Sequence, residues 1–318
     1  MSENLKELKS KTKIAVIIPT LNEEKGVGEV IVALQKALNG YNFEIVISDG
    51  RSKDRTVEIA KQHNAKVIFQ KRIGYGDALL SGYLYSIEEL NADILVNLDA
   101  DGTYEPSDIS KMLDEIILNR ADYVVGKRKT SSKNMKISHI IGNHMISFSI
   151  RHLLGVNVSD TQCGLFAFRS YLIKNVEDWA TEGWALNTEL LTKAAEYGMI
   201  IKEMETEYHP RQGTAHNTTV GGGIANLSVI LRMLRDSKPL LLMGTIGSII
   251  IAIGIVVGSL LIYDYLNLGE IYRPHTAVLA GVLIITGIQI LTLGLVADMI
   301  KRIRQKRIGP KNSYYTKF

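Results

Sequence analysis

The chain has 318 residues, 37 Lys and Arg against 33 Asp and Glu, a formal net charge of +4 and 46% hydrophobic residues. That length accommodates one full α/β domain and something smaller, and no basic tract interleaved with aromatics argues for nucleic acid as a partner. A single cysteine, Cys163, excludes an intrachain disulfide.

Met1–Lys13 is polar and Lys-rich, without the apolar run of a signal peptide, so a polar extension over residues 1–12 and a cytosolic N-terminal part are expected. Lys13–Ile18 reads as a first buried strand, halted by Pro19, which has no N–H to give to a ladder. Pro19-Thr20-Leu21-Asn22-Glu23 is then a polar loop before a helix over Gly26–Leu38, with Val27, Val30, Ile31, Leu34 and Leu38 on one face. Phe43–Ser48 is a second strand ending in Asp49, and Gly50, Ser52 and Asp54 lead to a helix at Thr56–His63. Asp49 and Asp54 read either as ligand contacts or as turn and cap residues. A third strand, Ala65–Gln70, is followed by Arg72-Ile73-Gly74-Tyr75-Gly76-Asp77 and a helix to about Leu90.

The stretch Ile94–Gly102 is an apolar run of the kind a parallel strand buried on both faces requires, and it ends in Asp99 and Asp101. Those acids belong at the strand's carboxyl edge, where open α/β sheets bind ligands. Two carboxylates with no basic neighbour in sequence repel one another unless a cation lies between them; a hard divalent ion, Mg²⁺ or Mn²⁺, sharing its shell with phosphate oxygens is the matching cofactor. An acidic turn is the alternative. Pro106 then opens a helix with Asp108 in its first turn, Tyr123–Gly126 gives a fifth strand, and Leu165–Arg169 another.

Strand, loop and helix alternate, which predicts a doubly wound, mostly parallel α/β sheet. The dinucleotide fingerprint is missing: Gly74-Tyr-Gly76 lacks the third glycine, which argues against a nicotinamide enzyme. Lys136–Leu154 divides into apolar and basic faces and is either an interfacial helix lying in the headgroup layer or a helix docked on the sheet. Ile224–Leu234, after Gly221–Gly223, has the same character. From Leu240 to about Tyr265 and from Thr276 to about Ala297 the only charge is Asp264, and each run exceeds the roughly 20 residues a helix needs to cross a bilayer. Arg232, Arg235 and Lys238 precede the first run, and Lys301, Arg302, Arg304, Lys306, Arg307 and Lys311 follow the second, so both flanks and both termini are expected on the cytoplasmic side of a cell membrane. The expected organisation is a cytosolic catalytic domain over 13–220, a juxtamembrane helix over 221–238, a two-helix transmembrane hairpin over 239–298 and a basic tail over 299–318.

Taken together, Pro19-Thr-Leu-Asn-Glu23, Asp49-Gly-x-Ser52-x-Asp54-x-Thr56, Asp99-x-Asp101-Gly, Gly126-Lys-Arg128 and Asp160-Thr-Gln-Cys-Gly164 resemble the family 2 glycosyltransferases of GT-A fold, the polyprenyl-phosphate sugar synthases among them. The resemblance runs from about Lys13 to about His216. It implies a nucleotide-sugar site in which Pro19, Leu21 and Glu23 line the base and ribose pocket, Asp49 contacts the nucleotide, Asp99 and Asp101 meet the diphosphate, and Ile47 and Ala100 also take part in binding the nucleotide-sugar. Asp99 and Asp101 would hold the metal with Thr103, which stands where a Gln is usual. Arg128 would meet phosphate and act in catalysis beside the two acids. Arg211 and His216 fall in the segment that closes over donor in relatives, His216 standing where a Lys is usual.

An interfacial helix would bring a lipid-borne phosphate to this edge, with Arg128, Lys136 and Ser138 as its holders. The implied reaction is inverting transfer of a hexose from a GDP- or UDP-sugar to polyprenyl phosphate, with nucleotide-sugar, acceptor lipid and bilayer as partners. Two spans per chain enclose a lipid poorly, which points to a homo-oligomer. Extension of a glycolipid or polysaccharide is the alternative within enzymes, although neither Trp179 nor Trp184 is preceded by the Arg that processive synthases carry. A non-catalytic nucleotide-sensing scaffold is the alternative outside them.

Overall fold

The computed structural model describes residues 3–129, 151, 158–161, 163–174, 185–210, 234–235, 238–269 and 274–308. The chain divides into two compact units, Met1–Asn226 and Leu227–Phe318. In the first, the elements run α1 (Glu3–Lys11), β1 (Lys13–Thr20), α2 (Val27–Ala37), β2 (Asn42–Asp49), α3 (Thr56–Gln62), β3 (Lys66–Phe69), α4 (Tyr75–Glu88), β4 (Ile94–Asn97), α5 (Ser107–Ile117), β5 (Tyr123–Arg128), β6 (Phe166–Arg169), a single helical turn α6 (Tyr171–Lys174), α7 (Ala185–Glu196) and β7 (Ile201–Thr206).

The seven strands form one sheet in the order β3-β2-β1-β4-β6-β5-β7, every pairing parallel except the two made by β6. The expected mostly parallel α/β sheet is therefore what the chain builds. Its centre is apolar on both faces: Ile14–Ile18, Ile45–Ile47 and Ile94–Val96 are buried, as covered parallel strands require. Helix-to-strand turns after α3, α4 and α5 are closed by Asn64, Asn91 and Asn119 at φ of 61°, 54° and 56°, the left-handed stop that asparagine tolerates among side-chain-bearing residues.

Pro19 does not end β1, which continues to Thr20 in register with Asp49 of β2. The Ile17 carbonyl accepts from Leu98 on the β4 side and the Thr20 carbonyl from Gly50 on the β2 side. Alternation along the strand thus turns the Pro19 nitrogen toward β4, whose pairing with β1 stops at Asn97, so the missing N–H costs no ladder bond.

Several further elements escape the sequence reading: the α6 turn, helix α7, the N-terminal helix and β7. The polar N-terminal segment is a helix, fastened by buried Lys9, whose ammonium lies 2.7 Å from Asp114 and 4.3 Å from the centre of the Tyr41 ring; Tyr41 donates its hydroxyl to Asp114 at 2.6 Å. Strand β7 pairs beside β5 along the sheet's edge.

The second unit carries α8 (Pro239–Leu268) and α9 (Pro274–Ile308), 30 and 35 residues long. Each contains a stretch long and apolar enough to cross a membrane. Both extend past the runs read from sequence, and α9 takes in much of the basic tail. Small residues set their packing: a β-carbon on Gly247 would lie 2.7 Å from the Gly287 carbonyl, and one on Gly287 would lie 2.7 Å from the Gly247 carbonyl. Ile249, Ile253, Val256, Leu260, Ile285 and Leu293 are exposed, an arrangement suited to acyl chains, where interhelical contact depends on close packing.

Candidate active site

Three strand ends converge on one edge of the sheet. The loops after β1 and β2 are laced together by short side chains bonding backbone: the Asn22 N–H donates to Ser52 Oγ at 2.8 Å, the Lys53 N–H to Asn22 Oδ1 at 2.8 Å, the Glu23 N–H to Thr56 Oγ1 at 2.8 Å and the Glu24 N–H to Asp54 Oδ2 at 3.2 Å. Asp49, fully buried, accepts from Thr20 Oγ1 at 2.9 Å, from the Ser52 N–H at 2.8 Å and from Ser52 Oγ at 2.6 Å. Burial raises the Asp54 carboxyl, but the bonds from Thr56 and Glu24 outweigh it and hold the group below the usual carboxylate range. The polar residues of these two motifs therefore first build the loops. Pro19 is half-buried, Leu21 is 43% exposed and Glu23 is buried at the same edge. Ile47 is fully buried inside β2 and offers no surface to a ligand, and Ala100 is buried beside the acids.

At the end of β4, Asp101 is buried and accepts at Oδ1 from the Thr103 N–H at 3.1 Å and Thr103 Oγ1 at 2.7 Å. Thr103 thus braces Asp101 from behind. Asp99, half-buried, accepts at Oδ1 from the Tyr75 hydroxyl at 3.2 Å, and Tyr75 accepts from Asn97 Nδ2 at 3.3 Å. Burial, then the Asp99 charge, push the Tyr75 phenol well above its ordinary value, so it stays a donor. Gly164 presses on the other side of Asp99: a β-carbon there would collide with Asp99 Oδ2 and lie 3.1 Å from its Cγ. The Gly164 N–H donates to the Tyr104 hydroxyl at 2.7 Å, and its carbonyl accepts from Asn97 Nδ2.

Arg128, at the end of β5, is tied to Asp160 in a fork: Nε donates to Oδ2 at 2.6 Å and Nη2 to Oδ1 at 2.7 Å. Burial lowers the guanidinium's proton affinity, but the Asp160 bonds raise it further, so the group stays cationic; it also lies 5.5 Å from the centre of the Tyr208 ring. Glu203 on β7 fixes Asp160 in turn, accepting from the Ser159 and Asp160 N–H groups at 2.7 and 2.9 Å. The sequence reading gave Arg128 to phosphate, with a solvated side chain as the alternative; its guanidinium already holds a protein carboxylate.

Pro19, Leu21, Glu23, Asp49, Asp99, Ala100, Asp101 and Thr103 are gathered at strand ends along this edge, with Arg128 at the end of β5. Arg211, His216, Lys136, Ser138 and the helix read over 136–154 lie outside the described residues, apart from Arg151, as does most of the segment 221–238. Tyr75, Tyr104 and Glu203 were not singled out. Tyr75 carried a signal, a Gly-Tyr-Gly opening a helix after a strand; Glu203 carried none, because it sits on a strand the pattern did not reveal.

Asp99 and Asp101 offer oxygen donors only, and among the described residues no cluster of three His, Cys, Asp or Glu side chains is poised for an ion. Two carboxylates at a lip fit a hard cation that keeps water and substrate phosphate in the rest of its shell, as Mg²⁺ does, and fit poorly a structural ion that needs a full protein cage.

The family model for Glycosyl transferase family 2 matches residues 15–176. A dolichyl-phosphate hexose transferase of Haloferax volcanii is 34% identical over 226 residues, 71% of this chain and 95% of that protein. A UDP-N-acetylglucosamine–dolichyl-phosphate N-acetylglucosaminyltransferase of Methanococcus voltae is 34% identical over 247 residues, 69% of this chain and 96% of that protein. Among solved structures, glucosyl-3-phosphoglycerate synthase of Mycobacterium tuberculosis, in complex with Mn²⁺, uridine diphosphate and glucosyl-3-phosphoglycerate, superposes with a TM-score of 0.54 at 20% identity, covering 73% of this chain and 81% of that one, a likeness of fold. Matched by the family model over half its length, with its acids at the strand end the fold reserves for ligands, this chain belongs to glycosyltransferase family 2.

Proposed function

We propose that this glycosyltransferase moves a hexose from a nucleotide-sugar to a polyprenyl phosphate at the cytoplasmic face of a membrane. The observation that carries the reading is the union, in one chain, of an Asp-x-Asp lip on a sheet edge with two terminal helices each long enough to span a bilayer. The relatives that act on dolichyl phosphate support the acceptor class. Basic residues flanking both helices support cytoplasmic termini, and two spans per chain support association of copies around the lipid.

In this reading Pro19, Leu21, Glu23 and Asp49 form the nucleoside side of the donor pocket, and Asp99 and Asp101 would hold Mg²⁺ or Mn²⁺ at its diphosphate end. The cation supplies charge neutralisation of the departing nucleoside diphosphate. Arg128, oriented by Asp160, contributes fixed positive charge beside the phosphates, and Arg211, His216, Lys136 and Ser138 complete the donor and acceptor contacts. An acceptor phosphate, with a second pKa of about 6, is already anionic near neutrality, so no protein group has to remove a proton. Its oxygen forms the bond to the anomeric carbon as the bond to the nucleoside diphosphate breaks, and the electron pair leaves with the diphosphate. The protein's task is then alignment.

Membranes containing the chain, incubated with labelled GDP- and UDP-sugars and polyprenyl phosphate, should yield label in the organic extract. Asp101→Ala should lose that product while remaining folded. Water-soluble or polymeric product alone would refute the acceptor assignment, and full transfer by Asp101→Ala would refute the metal role.

A further inference from the structure

We infer that Gln70 is the residue that reads the nucleobase of the donor; this rests on the reading of the sheet edge as a nucleotide-sugar site. Gln70 is the first residue beyond β3, and its N–H donates to the Asp49 carbonyl at 3.2 Å, which carries the β2–β3 pairing one step further and holds Gln70 level with Gly50. The side chain folds over that glycine. A β-carbon on Gly50 would lie 3.3 Å from Gln70 Nε2, 3.3 Å from Leu21 Cδ1 and 3.3 Å from the Thr20 carbonyl. The bare backbone at Gly50 is therefore met at once by the apolar Leu21 side chain and by the Gln70 carboxamide.

Gln70 is only 8% exposed, yet its carboxamide makes no hydrogen bond to any described residue. A carboxamide has two donors and two acceptor lone pairs, and nearly buried polar groups in native proteins almost always find partners. Its neighbours set it apart: Asn22, Asp49, Ser52, Asp54 and Thr56 are all bonded to one another or to backbone in these same loops. The carboxamide atoms are not sealed from water, so a ligand at this edge can reach them.

A flat heteroaromatic base supplies what is missing. Its face covers the apolar Leu21 side chain, and its edge presents adjacent donor and acceptor atoms, which a Gln carboxamide pairs with in two parallel bonds. A phosphate offers acceptors only and, in the proposed site, belongs with the cation that the acids at β4 would hold. The strand order puts three inter-strand steps between the end of β3 and the end of β4, about 14 Å, which leaves ribose and diphosphate room to lie between Gln70 and Asp99.

The test uses the full chain in detergent, measuring Mn²⁺-dependent binding of UDP, GDP, ADP and CDP, with pyrophosphate as the base-free probe. Wild type should prefer one base. Gln70→Met, close in shape but unable to pair, should lose about tenfold on the preferred nucleotide and bring all four within a few-fold of each other, with pyrophosphate affinity and thermal midpoint unchanged. Gln70→Glu, which keeps an acceptor and loses the donor, should reorder the four, and it carries the test if the Met variant folds poorly. A base ranking unchanged in both variants, or no ranking in wild type, overturns the inference and leaves the donor site standing. If wild type binds none of the four, or if Asp101→Ala binds all of them as well as wild type, the donor site itself falls and Gln70 with it.

Discussion

Replacing Gly164 by Ala adds one methyl group at a place where Asp99 already is. The new carbon would overlap Asp99 Oδ2 and stand 3.1 Å from Cγ and 3.2 Å from the Tyr104 hydroxyl. Non-bonded heavy atoms settle at about 3.5 Å or beyond, so the overlapping carboxylate must retreat by about 1 Å, and it cannot swing freely because Tyr75 holds Oδ1 at 3.2 Å. A misplacement of about 1 Å in an aligned site costs on the order of 100-fold in rate. Overpacking of this kind costs about 1–3 kcal/mol of stability, too little to unfold an ordinary domain. Gly164→Ala should therefore fold, with a modestly lowered thermal midpoint, and lose about two decades of turnover measured as labelled lipid product. Donor binding without added metal should change little. Wild-type turnover in a folded Gly164→Ala protein would show that Asp99 does not act from the position it occupies, and the reasoning from the β4 edge would fail.

Asp160→Ala leaves the Arg128 guanidinium nearly buried without its counter-charge and should cost about 3 kcal/mol in denaturant unfolding. The double variant Arg128→Met, Asp160→Leu should recover most of that stability while losing activity; a loss below about 1 kcal/mol would mean that the pair behaves as a surface ion pair. Lys9→Ala removes both the bond to Asp114 and the stacking on Tyr41, worth roughly 2 kcal/mol together, and should lower the thermal midpoint by several degrees without altering donor affinity. Burial, then the Asp160 charge, push the Cys163 thiol up to about 12, so it should resist alkylation at pH 8 in the folded protein and react at once in denaturant, as read by intact mass. Because that value is raised above the ordinary thiol's, its contribution to stability is complete below about pH 8.5 and is lost as pH climbs toward the folded value; alkylation of the native chain at pH 8 as fast as in denaturant would contradict the burial.

The parts of the fold legible in sequence were those whose burial is symmetric. Strands β1, β2 and β4 are covered on both faces and read as apolar runs rich in Ile, Leu and Val, and helix α2 showed a single apolar face. Strand β7 did not, because Ile-Lys-Glu-Met-Glu-Thr lies at the sheet's edge and its charges are satisfied sideways, Lys202 by Glu115 and Glu203 by the Ser159 loop. Helix α1 escaped for a similar reason: its attachment runs through one lysine stem and one ion pair, and no hydrophobic stripe announces it. The acids at β4 were readable because clustered charge after an apolar run has few structural uses. Their supports were not: Tyr75 and Gly164 meet Asp99 from elements more than 20 residues away in the chain, and only the strand order decides which ends meet.

That order turns on β6. Were β6 parallel to β4, the segment preceding it would arrive at the opposite edge of the sheet, and Asp160-Thr-Gln-Cys-Gly164 would be far from the Asp-x-Asp lip. Its antiparallel pairing, with Asn97 facing Phe166, brings the start of β6 to the end of β4, so Gly164 enters against Asp99 and Asp160 against Arg128. The reversed strand is itself held by aromatic packing: Phe166 stacks on Tyr123 at 5.9 Å, and Phe168 meets Tyr83 edge-on at 5.4 Å. Contacts of this sort add roughly 0.5–1.5 kcal/mol each beyond the area they bury. These rings steady the reversed strand in place, and its direction brings a glycine and a carboxylate from late in the chain to the acids and the arginine of the reacting edge.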